Sequence, residues 1–189
     1  MRIASLFSLA LLLLLACGPK LPPRYVLEKD FDLYKFRRYQ QVLDVEIPIA
    51  GNDAVGYTAT YVRGGKKIRV APVFVTVYQK GAGLTESVRQ SLRGMQGYTF
   101  EVAKEGGAYV YRMRGESGDS WLLWVSGRHV IKLGVPHGEK DVPGELLEPY
   151  LDRYPSDLDE QGKAEADSES AGPAATPSDS APGESPAQP

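Results

Sequence analysis

The chain contains 189 residues, carries a net charge of −2 and has a single cysteine. Its length suits one domain after an N-terminal leader. A charge so close to zero lacks the basic excess typical of nucleic-acid-binding proteins, so we expect no nucleic-acid partner. One cysteine allows no intrachain disulfide and no zinc site built on cysteine pairs, so the fold must depend on an apolar core.

The N-terminus has the layout of an export signal. Arg2 is followed by an apolar run, Ile3 to Leu15, that only Ser5 and Ser8 interrupt. This run is shorter than the roughly 20 residues that a membrane-spanning helix needs. A positive residue followed by a short apolar segment is instead typical of a secretory signal peptide, which we place at residues 1–16.

The apolar run ends in Leu14-Leu15-Ala16-Cys17, which resembles the lipobox of bacterial lipoproteins. The resemblance covers only residues 1–17. It implies cleavage between Ala16 and Cys17, a diacylglyceryl group on the Cys17 sulfur and acylation of the new amino terminus. Gly18 stands where an aspartate would favour the inner membrane in this family, so the resemblance implies the outer membrane, on either its periplasmic or its outer face. Membrane lipid is therefore an expected partner.

After the lipobox, residues 17–24 form a spacer that contains Pro19, Pro22 and Pro23. Three prolines in so short a segment favour a stiff, extended conformation. We place a single domain at residues 25–155. Its first part, Tyr25 to Tyr39, is interpreted as a short helix or turn.

Alternating apolar and polar residues predict strands in the next part of the domain. The predicted strands are Val42 to Ile49, Val55 to Arg63 and Ile68 to Tyr78. Gly64-Gly65 indicates a hairpin between the second and the third. Bulky apolar residues on both sides of Val73 to Tyr78 favour a central strand, and Pro72 indicates a bulge or a locally unpaired edge.

A helix and four further strands follow. Leu84, Val88, Leu92 and Met95 recur at helical spacing, with Thr85 as a candidate N-cap. Glycine-containing turns then separate four predicted strands: Tyr98 to Lys104, Ala108 to Arg114, Ser120 to Val125 and His129 to Val135.

A second helix is indicated by Leu147, Tyr150, Leu151 and Tyr154, with a start or a kink expected near Leu146 because of Pro149. The order of elements predicts an α+β fold in which two helices pack on an antiparallel sheet of about six or seven strands.

From Ser156 the chain is acidic and rich in Pro, Ala and Ser, with few residues able to form a core. Such a segment cannot bury enough apolar surface to offset its ordering entropy. We therefore predict a disordered tail at residues 156–189, which serves either as a flexible arm for a partner or as a neutral spacer.

No motif supports an enzyme, a cofactor site or a metal site. The only imidazoles are His129 and His137, and neither lies in a nucleophile elbow or in a compact pair of metal ligands. We therefore expect a protein that is not an enzyme and that needs no cofactor.

Two groups of residues are candidates for contact with a ligand or a partner. Trp121 and Trp124, with aromatic residues nearby, could line a pocket for an apolar or glycan ligand, although core packing explains them more simply. The nearby aromatic residues are Phe100, Tyr109 and Tyr111. Arg112 and Arg114, with Lys132, could form a basic stripe that meets an acidic polymer or a partner, although a solvated sheet face is the simpler explanation.

Two functions remain open. The first is a non-enzymatic scaffold or accessory subunit of a cell-envelope assembly, anchored in the outer membrane by acylated Cys17 and bound to another envelope protein. The alternative is a periplasmic carrier or sensor that binds an apolar or glycan ligand in an aromatic-lined pocket.

Overall fold

Seven strands form one antiparallel sheet in the computed structural model, which describes residues 24–43 and 45–164. The predicted signal peptide, Cys17 and most of the spacer lie outside the described residues, as does the tail from residue 165. In chain order the elements are β1 (Lys35–Val42), β2 (Ala54–Arg63), β3 (Arg69–Tyr78), α1 (Leu84–Gly94), β4 (Tyr98–Glu105), β5 (Ala108–Gly115), β6 (Ser120–Ser126), β7 (His129–Gly134) and α2 (Gly144–Arg153).

The sheet combines two antiparallel meanders. β1 to β3 form the first and β4 to β7 the second, and pairing of β3 with β7 joins them in the order β1-β2-β3-β7-β6-β5-β4. The predicted α+β class, with two helices packed on an antiparallel sheet, is confirmed. All four strands of the predicted second meander are present, and β3 is an internal strand next to the central β7.

The first edge of the sheet differs from the expectation. Lys35 to Val42, rather than Val42 to Ile49, forms the strand, and it pairs with β2 along one side only. Pro48 lacks the N–H that a paired strand needs, and residues 45–50 instead run as a loop. The predicted hairpin between β2 and β3 is present with a loop of residues 64–68.

The start of α1 differs from the expectation, whereas α2 starts near Leu146, as expected. α1 follows Gly83, whose φ of 70° suits glycine, so Thr85 lies inside the helix and is not its N-cap. α2 begins at Gly144, ahead of Leu146, and accommodates Pro149 in its interior. The ladder between β3 and β7 stops at Val73, beside Pro72, as expected of a residue that cannot donate a hydrogen bond.

The pairing register assigns side chains to the two faces of the sheet, because directly paired residues point to the same side. The groove face carries the row Thr58, Phe74, Lys132, Leu123 and Tyr111. The closed face carries the row Tyr57, Val75, Ile131 and Trp124.

The closed face is covered by α2 and by the N-terminal segment of residues 24–34. The Tyr150 hydroxyl of α2 lies 2.8 Å from the Tyr61 hydroxyl of β2. The indole N–H of Trp124 donates to the Tyr154 carbonyl oxygen at 2.7 Å. The Tyr154 hydroxyl in turn donates to the carbonyl oxygen of Tyr25 at 2.6 Å, which ties the N-terminal segment to the end of α2.

The groove face is only partly covered. α1 lies on the β4 to β6 side. It is close enough to buried Tyr111 for the charges of Glu86, Arg89 and Arg93 to affect the pKa of the Tyr111 hydroxyl. The loop of residues 45–50 crosses beside it, and its Ile47 carbonyl oxygen accepts a hydrogen bond from the Tyr78 hydroxyl at 2.6 Å. The part of the face above β1 to β3 has no helix on it among the described residues.

The chain beyond α2 passes from the closed face to the groove face. The β5–β6 ladder ends at Tyr111 and Leu123, and the segment of residues 156–164 fills the gap beyond it. Ser156 donates to the Tyr109 carbonyl oxygen at 2.6 Å, and the Asp157 amide donates to the Val125 carbonyl oxygen at 2.9 Å.

On the far side of this gap, the Tyr111 hydroxyl donates to the Gly162 carbonyl oxygen. A Cβ at Gly162 would lie 2.7 Å from the Tyr111 ring, so the close approach requires glycine. Leu158 is buried in the core. The packed region therefore continues through Ala164, past the expected boundary at Ser156.

Candidate functional site

A groove opens on the uncovered part of the groove face, where β3, β6 and β7 meet the loop after β1. Its volume is about 650 Å³. The lining residues are Val42, Leu43, Val45, Glu46, Gly56, Phe74, Thr76, Tyr98, Trp121 and Lys132. The wall is mostly apolar or aromatic and contains one acidic and one basic side chain, which is the usual character of a small-molecule site.

Trp121 forms one side of the groove. Its ring meets the Phe74 ring edge to face, with 5.8 Å between centroids. Gly134 lies opposite Trp121 in the ladder, and a Cβ there would be 2.8 Å from both the Trp121 ring and the Pro72 ring. Glycine at position 134 therefore lets the three strands bring Pro72, Phe74 and Trp121 together.

Asp119 fixes the orientation of two aromatic rings in the groove. Its Oδ2 atom accepts hydrogen bonds from the Trp121 indole N–H at 2.7 Å and from the Tyr98 hydroxyl at 2.9 Å, and Ser117 donates to Oδ1. The hydrogen bond from Ser117, then that from Trp121, lowers the pKa of Asp119 to about 2. The hydrogen bond to the same carboxylate raises the pKa of Tyr98 above its ordinary value. At neutral pH Asp119 is therefore ionised and Tyr98 is protonated, and both aromatic side chains donate hydrogen bonds to Asp119.

The β5–β6 turn places Asp119 beside these rings. The Gly115 amide donates to the Asp119 carbonyl oxygen at 2.8 Å, and Gly118 turns the chain with a φ of 86°. A Cβ at Gly115 would meet the Asp119 carboxylate at 2.2 Å, so only glycine leaves room for it. The local sequence Gly-Glu-Ser-Gly-Asp therefore builds the support of the groove.

Lys132 lies at the bottom of the groove. Its side chain is 5% exposed, and it is the one charged residue that is buried within residues 24–43 and 45–164. Its Nζ atom lies 4.0 Å from the Trp121 ring centroid and 5.9 Å from that of Tyr98. Attraction between the ammonium group and the ring faces offsets part of the cost of removing the charge from water.

The counter-ion of Lys132 comes from outside the sheet. Glu46 forms an ion pair with it, and the Glu46 side chain is 46% exposed. The neighbouring Ile47 is buried and anchored through Tyr78, whereas Leu43 on the other side is 84% exposed. The ion pair thus joins a buried fixed cation to a carboxylate that reaches solvent.

The two tryptophans that were candidates for ligand contact do not line the same groove. Trp121 lines the groove, whereas Trp124 points to the closed face, is 0% exposed and donates to the Tyr154 carbonyl oxygen. The interpretation in which both tryptophans line one pocket is wrong for Trp124, because residues three apart on a strand point to opposite sides. The simpler interpretation as core packing is confirmed for Trp124. Trp124 is a core residue.

Arg112 and Arg114 do not form a basic stripe with Lys132. Arg112 and Arg114 lie on the closed face, where Arg112 pairs with Glu105 and both arginines lie within 3.7 Å of Glu101. Lys132 points to the groove face. Acidic neighbours neutralise the arginines, and the sheet separates them from Lys132.

The other aromatic candidates serve the fold. The Phe100 and Tyr111 rings pack edge to face at 5.7 Å between centroids, on the half of the groove face near α1. The carbonyl oxygen of Tyr109 accepts the hydrogen bond from Ser156. None of the three lines the 650 Å³ groove.

Neither histidine belongs to a group of possible metal ligands among the described residues. His129 is half-buried between Tyr25 and Tyr154, and burial lowers its pKa, while His137 is exposed. The described part of the chain holds no group of three His, Cys, Asp or Glu residues close enough to bind a metal ion. It also contains no helix with the length and apolar character that crossing a membrane requires.

Sequence reasoning missed Glu46, Phe74 and Lys132 as neighbours in one site. A usable signal was present at Lys132, because a lone lysine stands among buried residues on a strand covered on both faces. Glu46 carried no such signal, because its position depends on the loop path across the sheet.

Comparisons of the chain with protein-family models, with curated proteins and with solved structures found no match.

Proposed function

We propose that the protein is a lipid-anchored lipoprotein of the bacterial outer membrane whose domain binds an apolar or amphipathic ligand. The groove on the sheet carries this proposal. Its volume of about 650 Å³ falls within the roughly 300–1,000 Å³ of small-molecule sites. Its aromatic side chains are held by Asp119 and by close packing at Gly134, so the site is formed before a ligand arrives.

The membrane anchor is an independent part of the proposal and depends on the lipobox at Leu14 to Cys17. Two or three acyl chains hold a protein firmly on a bilayer, since each buried methylene contributes about 0.8 kcal/mol. We expect the Cys17→Ser chain to leave the membrane fraction of cells that express it. A variant that still sediments with membranes after a high-salt wash would contradict the anchor.

Native mass spectrometry of protein purified from envelopes with a mild detergent tests ligand binding. We expect a reproducible added mass that corresponds to an envelope amphiphile. Thr76→Phe fills the bottom of the groove and should remove this mass. Thr99→Phe makes the same change at an exposed position on β4 and should retain it. A chain without added mass, or equal ligand retention by both variants, would argue against a carrier or sensor.

The accessory-subunit hypothesis remains a second prediction about the same anchored chain. Crosslinking in intact envelopes should capture a constant set of envelope proteins with the anchored form and not with Cys17→Ser. Capture of the protein alone, at a crosslinking yield that a known envelope complex confirms, would leave ligand binding as the function.

A further inference from the structure

The charge at the bottom of the groove restricts the chemistry of the ligand. Lys132 is buried and fixed between β3 and β6, so its ammonium group needs an anion beside it. In the structure that anion is the carboxylate of Glu46. Any ligand that fills the groove to the bottom must either leave this ion pair in place or take over the role of Glu46.

Exchange of the anion is favoured by how the two partners are held. Lys132 is part of a paired central strand, whereas Glu46 lies on a loop and its side chain is nearly half exposed. Rotation of Glu46 into solvent hydrates its carboxylate and does not require movement of Ile47, which Tyr78 anchors. A small space beside Glu46 and Ile47 is also lined by Lys132, Thr76 and Tyr78.

Two other ligand classes fit the groove poorly. A cationic ligand would need the face of Trp121, but the Lys132 ammonium already lies 4.0 Å from that ring and would repel it. A sugar that stacks on the Trp121 face would meet the same lysine. The Phe74 ring occupies an edge-to-face position against Trp121 and further restricts stacking.

The upper part of the groove is apolar and favours a hydrocarbon chain. Val42, Leu43 and Val45 line the groove together with Phe74, and Leu43 is 84% exposed. An alkyl chain along these residues would cover Leu43 and remove apolar surface from water.

Together these features define the ligand class. We propose that the groove binds a single-chain amphiphile with one anionic head group, whose carboxylate or phosphate replaces Glu46 beside Lys132 while its alkyl chain lies along Val42, Leu43 and Val45. This inference rests on the proposed function and assigns the head group that the site selects.

Calorimetric titration with decyl phosphate and with decanol separates the head group from the chain. The protein is the chain from Gly18 to Pro189, made without acyl groups so that no detergent competes. We expect decyl phosphate to bind at least tenfold more tightly than decanol. Lys132→Met keeps the length of the side chain without its charge and should reduce this ratio to near one, whereas the exposed control Lys35→Met should not change it.

Glu46→Gln provides a second variant that does not depend on replacing a buried lysine. The neutral amide competes less with the head group, so we expect decyl phosphate to bind several-fold more tightly while decanol affinity stays unchanged. Glu101→Gln, an exposed acidic residue outside the groove, is its control.

The outcomes distinguish the two levels of the proposal. Equal affinity for decanol and decyl phosphate would contradict selection of an anionic head group. An unchanged ratio of the two affinities in Lys132→Met would contradict it as well. Either result leaves the proposed function intact. Binding of neither probe overturns both. If decyl phosphate binds only to a chain that ends at Ala164, the acidic C-terminal segment is the occupant and the amphiphile proposal fails.

Discussion

The two tryptophans of β6 show how the two faces of one sheet serve different purposes. Trp124 is fully enclosed under α2 on the closed face, where its indole N–H satisfies the Tyr154 carbonyl oxygen at the end of the helix. Trp121 lies at the edge of an open groove, and Asp119, a residue of the preceding turn, holds it. Burial on one face stabilises the fold, while incomplete cover on the other leaves an open groove.

The largest effect should come from exchanging the two tryptophans separately for alanine. Trp124→Ala removes a fully buried ring and should lower the free energy of unfolding by ~3–5 kcal/mol. Trp121→Ala should cost only about 1 kcal/mol, because its ring is partly exposed, yet it should abolish most ligand binding. Urea unfolding followed by circular dichroism measures the stability of both variants. Equal losses of stability would contradict the conclusion that the closed face contributes more to stability than the groove face does.

The segment of residues 156–164 should contribute to stability although it follows the last helix. Leu158→Ala should lower the free energy of unfolding by ~2–4 kcal/mol, as expected of a leucine buried in the core. Glu160→Ala changes an exposed residue of the same segment and is the matched control. If Leu158→Ala unfolds at the same urea concentration as the unsubstituted chain, the segment is not part of the core.

This segment shows what the sequence can and cannot predict. Periodicity correctly indicated the strands of the second meander and both helices, because side chains that alternate on a strand or recur on a helix leave a local pattern. The tail was placed from composition, which is acidic from Ser156 onward. A single Leu158, a glycine that fits against Tyr111 and a gap between β5 and β6 leave no periodic signal, so the extension to Ala164 was missed.

The site was predictable only in part for a similar reason. Aromatic character points to Trp121 and Trp124 alike, since the continuous run Trp-Leu-Leu-Trp does not show which face each residue occupies. The face is set by pairing with β5 and β7. The ion pair between Glu46 and Lys132 joins residues 86 positions apart and depends on the path of the loop, so no local pattern indicates it.

Asp119 provides a finer test of how the groove is supported. Asp119→Asn keeps the shape of the side chain but weakens the bonds to the Trp121 indole and the Tyr98 hydroxyl, because a neutral amide is a poorer acceptor. We expect a loss of about 1–2 kcal/mol in the binding free energy of decyl phosphate and a smaller loss in stability. Asp141→Asn, at an exposed acidic side chain, should change neither. Unchanged binding in Asp119→Asn would show that packing alone holds the rings.

The smallest effect should appear in the pH dependence of the same contact. Since hydrogen bonds hold the pKa of Asp119 at about 2, its carboxylate stays ionised while ordinary aspartates, with a pKa near 3.9, take up protons. A lowered folded-state pKa means that the stabilisation is complete above the unfolded value and is lost as the pH falls through about 2. The NMR signal of the Trp121 indole N–H reports this titration directly. A midpoint near 3.9 would mean that Asp119 gains nothing from its donors, and the support of the groove would then lie in Gly134 and Phe74 rather than in the turn.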